Sequence, residues 1–264
     1  MPDGEEGCGD APLSIMKLHT FLYDLDYLLG DFRNIQGVRL SPNSGGVRIQ
    51  AYCSNEPLFV ADGQTIESVE GITGVCGILN IGRLRSILRA PGFSRASVKA
   101  AVRSGTIELS DGSGQAYSFY LCEPRLTERA VTIKTLKVHP AYEFEADLTC
   151  EGRDLLRYWQ RQLASDGESE DQIRYEVCTK DGSLAFRHRV GPPTSPYIEF
   201  PFIRGVTGAY STRYHQTGAD LLPLLKFVGD TASAKFKLWS SGLHTVAVST
   251  ASVSIDFHLP LTLP

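Results

Sequence analysis

Between Thr20 and Phe32 the apolar positions recur every three or four residues. Phe21, Leu22, Leu25, Leu28, Leu29 and Phe32 fall on one side, and Tyr23, Asp26 and Tyr27 on the other. That spacing predicts a helix with one buried face. The period then shortens: Val38-Arg39-Leu40, VRIQAYC and PLFVADG read as strands separated by Pro, Asn and Gly turns such as SPNSGG. Helical spacing returns from Asn80 to Ala90, where Ile81, Leu84, Ile87 and Leu88 form the apolar arc, Arg85 and Arg89 lie outside it, and Pro91-Gly92 stops the helix. ASVKAAV, TIELSD and QAYSFYLC follow as strands, with Arg103-Ser104-Gly105 and Asp111-Gly112 as turns.

The stretch EPRLTERAVTIKTLKVHP breaks this rhythm and reads as an extended connector. Beyond it the rhythm restarts: strand AYEFEADLT, a helix from Thr149 to Ala164, strands IRYEVCTKDG, SLAFRHRV and PYIEFPFI, and a strand from Ala209 to Tyr214. A fourth helix is expected in TGADLLPLLKFV, where Thr217 and Asp220 have capping-box spacing and Pro223 makes the first turn irregular. AKFKLWSS, HTVAVST and VSIDFHLPL close the chain as strands. The expected organisation is therefore an acidic N-terminal tail (1–14), a first domain (15–122), a connector (123–140) and a second domain (141–264). Each domain has two short helices on antiparallel sheets, a duplicated α+β architecture with little residue identity between its halves.

Within the third helix, CEGRDLLRYWQRQLA, Arg153, Arg157 and Arg161 span an arc of about 80° at 100° per residue. Leu155, Leu156, Trp159 and Leu163 gather on the other side. Such a guanidinium stripe is either a solvated helix face or a surface that tracks phosphates.

Composition narrows the chemistry. Of 264 residues 42% are hydrophobic and 21% charged, with a formal net charge of -4. That apolar share is ample for two cores, and the acidic balance excludes a chain that coats nucleic acid with its whole surface. A local basic face stays open. The six cysteines (Cys8, Cys53, Cys76, Cys122, Cys150, Cys178) form no Cys-x-x-Cys pair, so they read as reduced thiols packed in strands, in a cytosol-like compartment. No apolar run approaches the length of a membrane span, and MPDGEEGCGDAP lacks the pattern of a signal peptide. Glycine-rich phosphate loops, nucleophile elbows and metal-ligand spacings are missing as well, so neither catalysis nor a cofactor or metal is expected. His188, between Arg187 and Arg189, reads as a position on a surface strand face.

Four stretches carry a family resemblance: MKLHTFLYDLDYLL, VCTKDGSLAFRHRVG, AKFKLWSSGLHTVAVS and VSIDFHLPL. Together with the duplicated order of elements, over roughly residues 15 to 262, they resemble the DNA polymerase sliding clamps, of both the proliferating-cell nuclear antigen type and the tailed-bacteriophage type. The resemblance implies a homotrimeric ring, cytoplasmic or in a bacterial host's cytoplasm, that encircles double-stranded DNA without reading its sequence. It also implies a DNA polymerase and a clamp loader as partners, and no catalysis. Helices lining the hole would offer Arg83, Arg85, Arg89, Arg153, Arg157, Arg161 and Lys226 to phosphates. The first helix departs from this pattern, because Asp24, Asp26 and Asp31 lie on its outward face with Lys17 and Arg33 only at its ends. Partner peptides would dock around Leu126, Val131, Ile133, Leu259, Pro260 and Leu261, unless those residues simply seal the domain junction. Subunits would join along strands 115–121 and 197–203, through Tyr117, Phe119, Tyr120, Ile198, Phe200 and Phe202, although ordinary sheet packing makes the same pattern. The competing class is a β-rich structural or capsid-associated viral protein.

Overall fold

The structure is a computed structural model that describes residues 15–29, 32, 35–53, 60–123, 144–165, 174–189, 196–210, 216–217, 221–227, 233–238 and 244–259. The first half runs β1 (Ile15–Met16), α1 (Leu18–Leu29), β2 (Ile35–Asn43), β3 (Gly46–Cys53), β4 (Val60–Thr65), β5 (Ser68–Val69), β6 (Cys76–Leu79), α2 (Ile81–Leu88), β7 (Lys99–Arg103), β8 (Thr106–Ser110) and β9 (Ala116–Tyr120). The second runs β10 (Phe144–Asp147), α3 (Cys150–Ser165), β11 (Arg174–Lys180), β12 (Ser183–Arg189), β13 (Tyr197–Arg204), β14 (Gln216–Thr217), a 3₁₀ helix (Leu222–Phe227), β15 (Ser233–Leu238), β16 (His244–Ser249) and β17 (Val253–Leu259). In both halves a helix leads a three-strand meander and a short fourth strand, and a second helical segment leads another meander.

An eight-stranded antiparallel sheet joins the halves in the order β10-β15-β16-β17-β4-β3-β2-β6. Its central seam pairs β17 with β4, from Val253↔Thr65 to His258↔Val60. Gly63 lets the two backbones close: a methyl group there would stand 2.7 Å from the Ile255 side chain and 2.5 Å from the Ser254 carbonyl oxygen. The remaining larger sheets are β7-β8-β9 and β13-β12-β11-β14.

Local chemistry sets the helix ends. Asn80 takes a left-handed conformation before α2, and its Oδ1 accepts from the Arg83 amide at 2.9 Å. Thr149 does the same for α3, accepting from the Gly152 amide at 3.1 Å. Trp159 anchors α3 by stacking on Phe186 of β12 at 5.1 Å, and Phe186 stacks in turn on Phe202 of β13 at 4.4 Å. The expected fourth helix is instead the 3₁₀ segment, because Pro223 within it can donate no backbone hydrogen bond. Thr217, expected to open that helix, lies in β14 opposite Arg174, and Asp220 lies outside the described residues. Ala209 and Tyr210 belong to no strand, and 211–215, the rest of the strand expected there, lie outside the described residues.

His188 is a correction: strand alternation turns it inward, 3% exposed and edge-on to Trp159 at 6.2 Å. Its neighbour Arg187 points outward to Glu199 at 3.0 Å and Glu176 at 3.9 Å. Four of the six cysteines are free thiols among the described residues: Cys150 opens α3 in an exposed position, Cys178 is buried and Cys76 and Cys122 are half-buried; Cys8 lies outside the described residues. Burial pushes the Cys76 thiol up to about 11, with Cys122 adding to it, so Cys76 is inert at neutral pH.

His244 on β16 is fully buried, and among the described residues neither ring nitrogen has a hydrogen-bond partner. Burial pushes its pKa down to about 3, so the folded protein keeps it neutral while the unfolded chain takes up a proton below its ordinary value of 6.5. Its share of stability is complete above that value and drains away as the pH falls toward about 3, a loss of about 2 kcal/mol between pH 7 and pH 5. Urea unfolding of His244→Leu should show a shallower loss over that range. Parallel pH profiles for variant and parent would contradict the assignment.

Candidate nucleic-acid interface

Four helical segments form one continuous layer. α2 lies against α1, where Asp26 Oδ1 meets Arg85 Nε at 3.6 Å and Asp26 Oδ2 meets Arg89 Nη2 at 3.5 Å. The Tyr23 hydroxyl adds a bond to the Leu88 carbonyl at 3.2 Å. α1 lies against the 3₁₀ helix, where Tyr27 packs edge-on to Phe227 at 5.3 Å and Lys226 Nζ sits 5.2 Å from the Tyr27 ring centroid. The 3₁₀ helix lies against α3, where Arg157 Nη2 donates to the Leu225 carbonyl at 3.5 Å. The order across the layer is thus α2, α1, 3₁₀ helix, α3; six of the seven expected DNA-contacting cations stand on three of these four elements, and Arg89 caps the C-terminal end of α2.

Their surroundings differ. Arg83 and Arg161 are exposed and make no ion pair among the described residues. Arg153 Nε donates to Asp154 at 2.9 Å, and this bond holds the Asp154 carboxyl below its usual range. Arg157 is half-buried. The stripe therefore winds from the flank of α3 at Arg153 to the open face at Arg161, and Asp154 and Tyr158 share that face. The buried arc of α3 includes Gly152 and Gln160 beside Leu156, Trp159 and Leu163, while Leu155, expected among them, is only half-buried. A methyl group on Gly152 would stand 2.8 Å from the Phe202 carbonyl oxygen, so α3 rests close on β13.

Periodicity missed the partners of these cations. Asp26, placed on the polar side of α1 by its spacing, is 7% exposed and sits between Arg85 and Arg89. Asp24 pairs with Arg95 at 2.8 Å and accepts from the Ser252 hydroxyl at 2.9 Å. Asp24 and Asp26 are thus both engaged in ion pairs, and Asp31 lies outside the described residues. The signal for this was available: Arg85 and Arg89 are one turn apart, a spacing that suits a single carboxylate on a facing helix.

The remaining expected sites fall elsewhere. Leu126, Val131, Ile133, Pro260 and Leu261 lie outside the described residues; Leu259, the last residue of β17, is buried in the core. β9 and β13 end their sheets on the side away from their partners. Tyr120 is 83% and Ile198 50% exposed, and Tyr117 and Tyr197 are also exposed. Phe119 and Phe202, by contrast, turn into this chain's own core, and Phe200 is half-buried.

No protein-family model and no curated protein matches the chain. Solved structures do. A PCNA2–PCNA3 complex from Sulfolobus tokodaii aligns at a TM-score of 0.63 and 11% identity, over 94% of this chain and 98% of that one. The proliferating cellular nuclear antigen of Entamoeba histolytica aligns at 0.64 and 10%, over 93% and 96%. The A. fulgidus PCNA solved with the C-terminal region of FEN-1 aligns at 0.59 and 14%, over 94% and 95%. Aligned over at least 93% of its length with each of these structures, the chain has the fold of the PCNA sliding clamps.

Proposed function

We propose that this protein is a sliding clamp: a scaffold without chemistry of its own, which closes with two further copies into a ring around duplex DNA and tethers a polymerase. The two domains are 15–122 and 141–264, joined by the connector 123–140. The observation that carries the reading is an unfilled repeat of the β4–β17 seam. β4 ends the first meander of half one, and β17 ends the second meander of half two. Their counterparts by duplication, β13 and β9, are both edges with no further strand beside them among the described residues, and they carry exposed aromatic and aliphatic side chains, a state that isolated sheets avoid. Pairing β9 of one copy with β13 of the next repeats the seam head to tail, and such a chain of contacts forms a ring when its rotation closes. The layer of arginines suits exchangeable phosphate contacts. A loader would open the ring. Leu126, Val131, Ile133 and Pro260–Leu261 remain the proposed docking place for a partner peptide. A PCNA of this fold solved with a piece of FEN-1 supports the idea that the fold takes such partners.

The duplication also supports one register for this joint. Within each half, the first hairpin closes at Asn43↔Gly46 or at Lys180↔Ser183, which aligns Asp62 with Glu199 through their partners Gln50 and Arg187. The last hairpin closes at Ser249↔Ser254 or at Ser110↔Ala116, which aligns Asp256 with Ser118. Asp62 faces Asp256 within the chain, so Glu199 faces Ser118 of the neighbouring copy, with Tyr197 opposite Tyr120 and Ile198 opposite Phe119. Oxidation of a Ser118→Cys, Glu199→Cys double variant should give covalent rings, since directly opposed strand positions lie within disulfide reach. Ser118→Cys with Tyr197→Cys, two residues out of register, should not. Equal cross-linking of both pairs, or of neither, would overturn this joint.

A further inference from the structure

The ion pairs of α1 bear on how tightly such a ring holds DNA. Asp26 lies almost wholly beneath the surface, its side chain 9% exposed, with Arg85 and Arg89 against its two oxygens. The side chains of Arg89 and Arg95 are 60% and 58% exposed, so each guanidinium reaches solvent while its charge is matched from behind. We propose that Asp26 attenuates DNA binding: it neutralises Arg89, and in part Arg85, from inside the helical layer, and so keeps the ring's grip on phosphate loose. This inference rests on the clamp reading of the same face.

The physical argument is one of counterions. A cation that already has a buried carboxylate for company condenses less phosphate charge, so fewer counterions leave the DNA when it binds. An unpaired cation contributes about 0.9 to the slope of log affinity against log salt, equivalent to about tenfold in affinity at 50 mM salt relative to 1 M. Arg83 and Arg161 have no carboxylate partner among the described residues and should contribute in full. Arg89 should contribute little until Asp26 is neutralised. A loose grip suits a ring whose contacts must exchange as it slides, because closure rather than affinity keeps it on the strand.

The test measures binding of the isolated ring to a short linear duplex at several salt concentrations. Asp26→Asn, which keeps the side chain's shape, should bind about tenfold tighter at 50 mM salt, with a slope larger by about 0.9. Adding Arg89→Ala to it should cancel the gain. If Asp26→Asn weakens folding, the arginines still decide: Arg89→Ala alone should change affinity less than about twofold, whereas Arg83→Ala should lower it about tenfold. Unchanged or weaker binding by a folded Asp26→Asn ring, or equal losses for Arg89→Ala and Arg83→Ala, would overturn the attenuator. A parent ring that binds no duplex even at low salt would overturn the attenuator alone, whereas a parent that forms no ring would overturn the clamp reading on which it rests.

Discussion

Tyr120→Asp combined with Ile198→Asp should convert the assembly into folded monomers. Tyr120 and Ile198 are the most exposed large side chains of β9 and β13, so neither substitution should disturb the chain's own core. In the register above Tyr120 opposes Tyr197 and Ile198 opposes Phe119, so the two introduced carboxylates would lie on opposite faces of the joint, each against an aromatic side chain and without a cation partner. Desolvating an unpaired charge costs on the order of several kcal/mol, and each 1.4 kcal/mol is tenfold in the dissociation constant. Light scattering should therefore give the monomer mass at concentrations where the parent is fully assembled, with an unchanged circular dichroism spectrum. Phe119 and Phe202 would be poor probes, because they are buried and a charge there would unfold the subunit. Persistence of the assembly in the double variant would place the joint elsewhere.

Arg153→Ala, Arg157→Ala and Arg161→Ala together should lower DNA affinity by on the order of a hundredfold to a thousandfold at 50 mM salt, with a slope reduced by about 2 to 3. The losses should be graded. Arg161, exposed and without an ion pair among the described residues, should matter most, and Arg153, paired with Asp154, least. Folding should change only modestly, since Leu156, Trp159 and Leu163 make the packing contacts and the bond from Arg157 to the Leu225 carbonyl is worth about 1 kcal/mol. Primer extension with a loaded ring should lose processivity, less steeply than the affinity falls, because topology retains a closed ring. An unaltered salt slope would leave the stripe a solvated helix face.

What the sequence revealed follows from the range of the forces involved. α1, α2 and α3 could be read to within a few residues, because their apolar arcs and the caps Asn80 and Thr149 are local signals. The meanders were equally legible from period-two stretches and turn residues. Missed were β5 and β6, too short to show a period, and the 3₁₀ helix, where Pro223 sits among residues whose spacing suggests an α-helix. The β4–β17 seam was invisible because it joins strands almost 200 residues apart by sequence, and only Gly63 hints at the close approach. The site was half legible. Spacing identified the arginine stripe but gave no account of its neighbours, so Asp26 was read as a solvated side chain when it is a buried counter-charge. His188 departs from its expected place for a similar reason: the flanking arginines suggest a wet strand face, but alternation turns Arg187 outward and His188 inward.

The central claim, a closed ring built from copies of this chain, is tested most directly by the shape and mass of the particle in solution. Negative-stain images together with light scattering should show a ring with a central hole wide enough for a DNA duplex and a mass near three times the 28.9 kDa of one chain. A monomer at all accessible concentrations, an open filament, or a large shell without a central hole would contradict it.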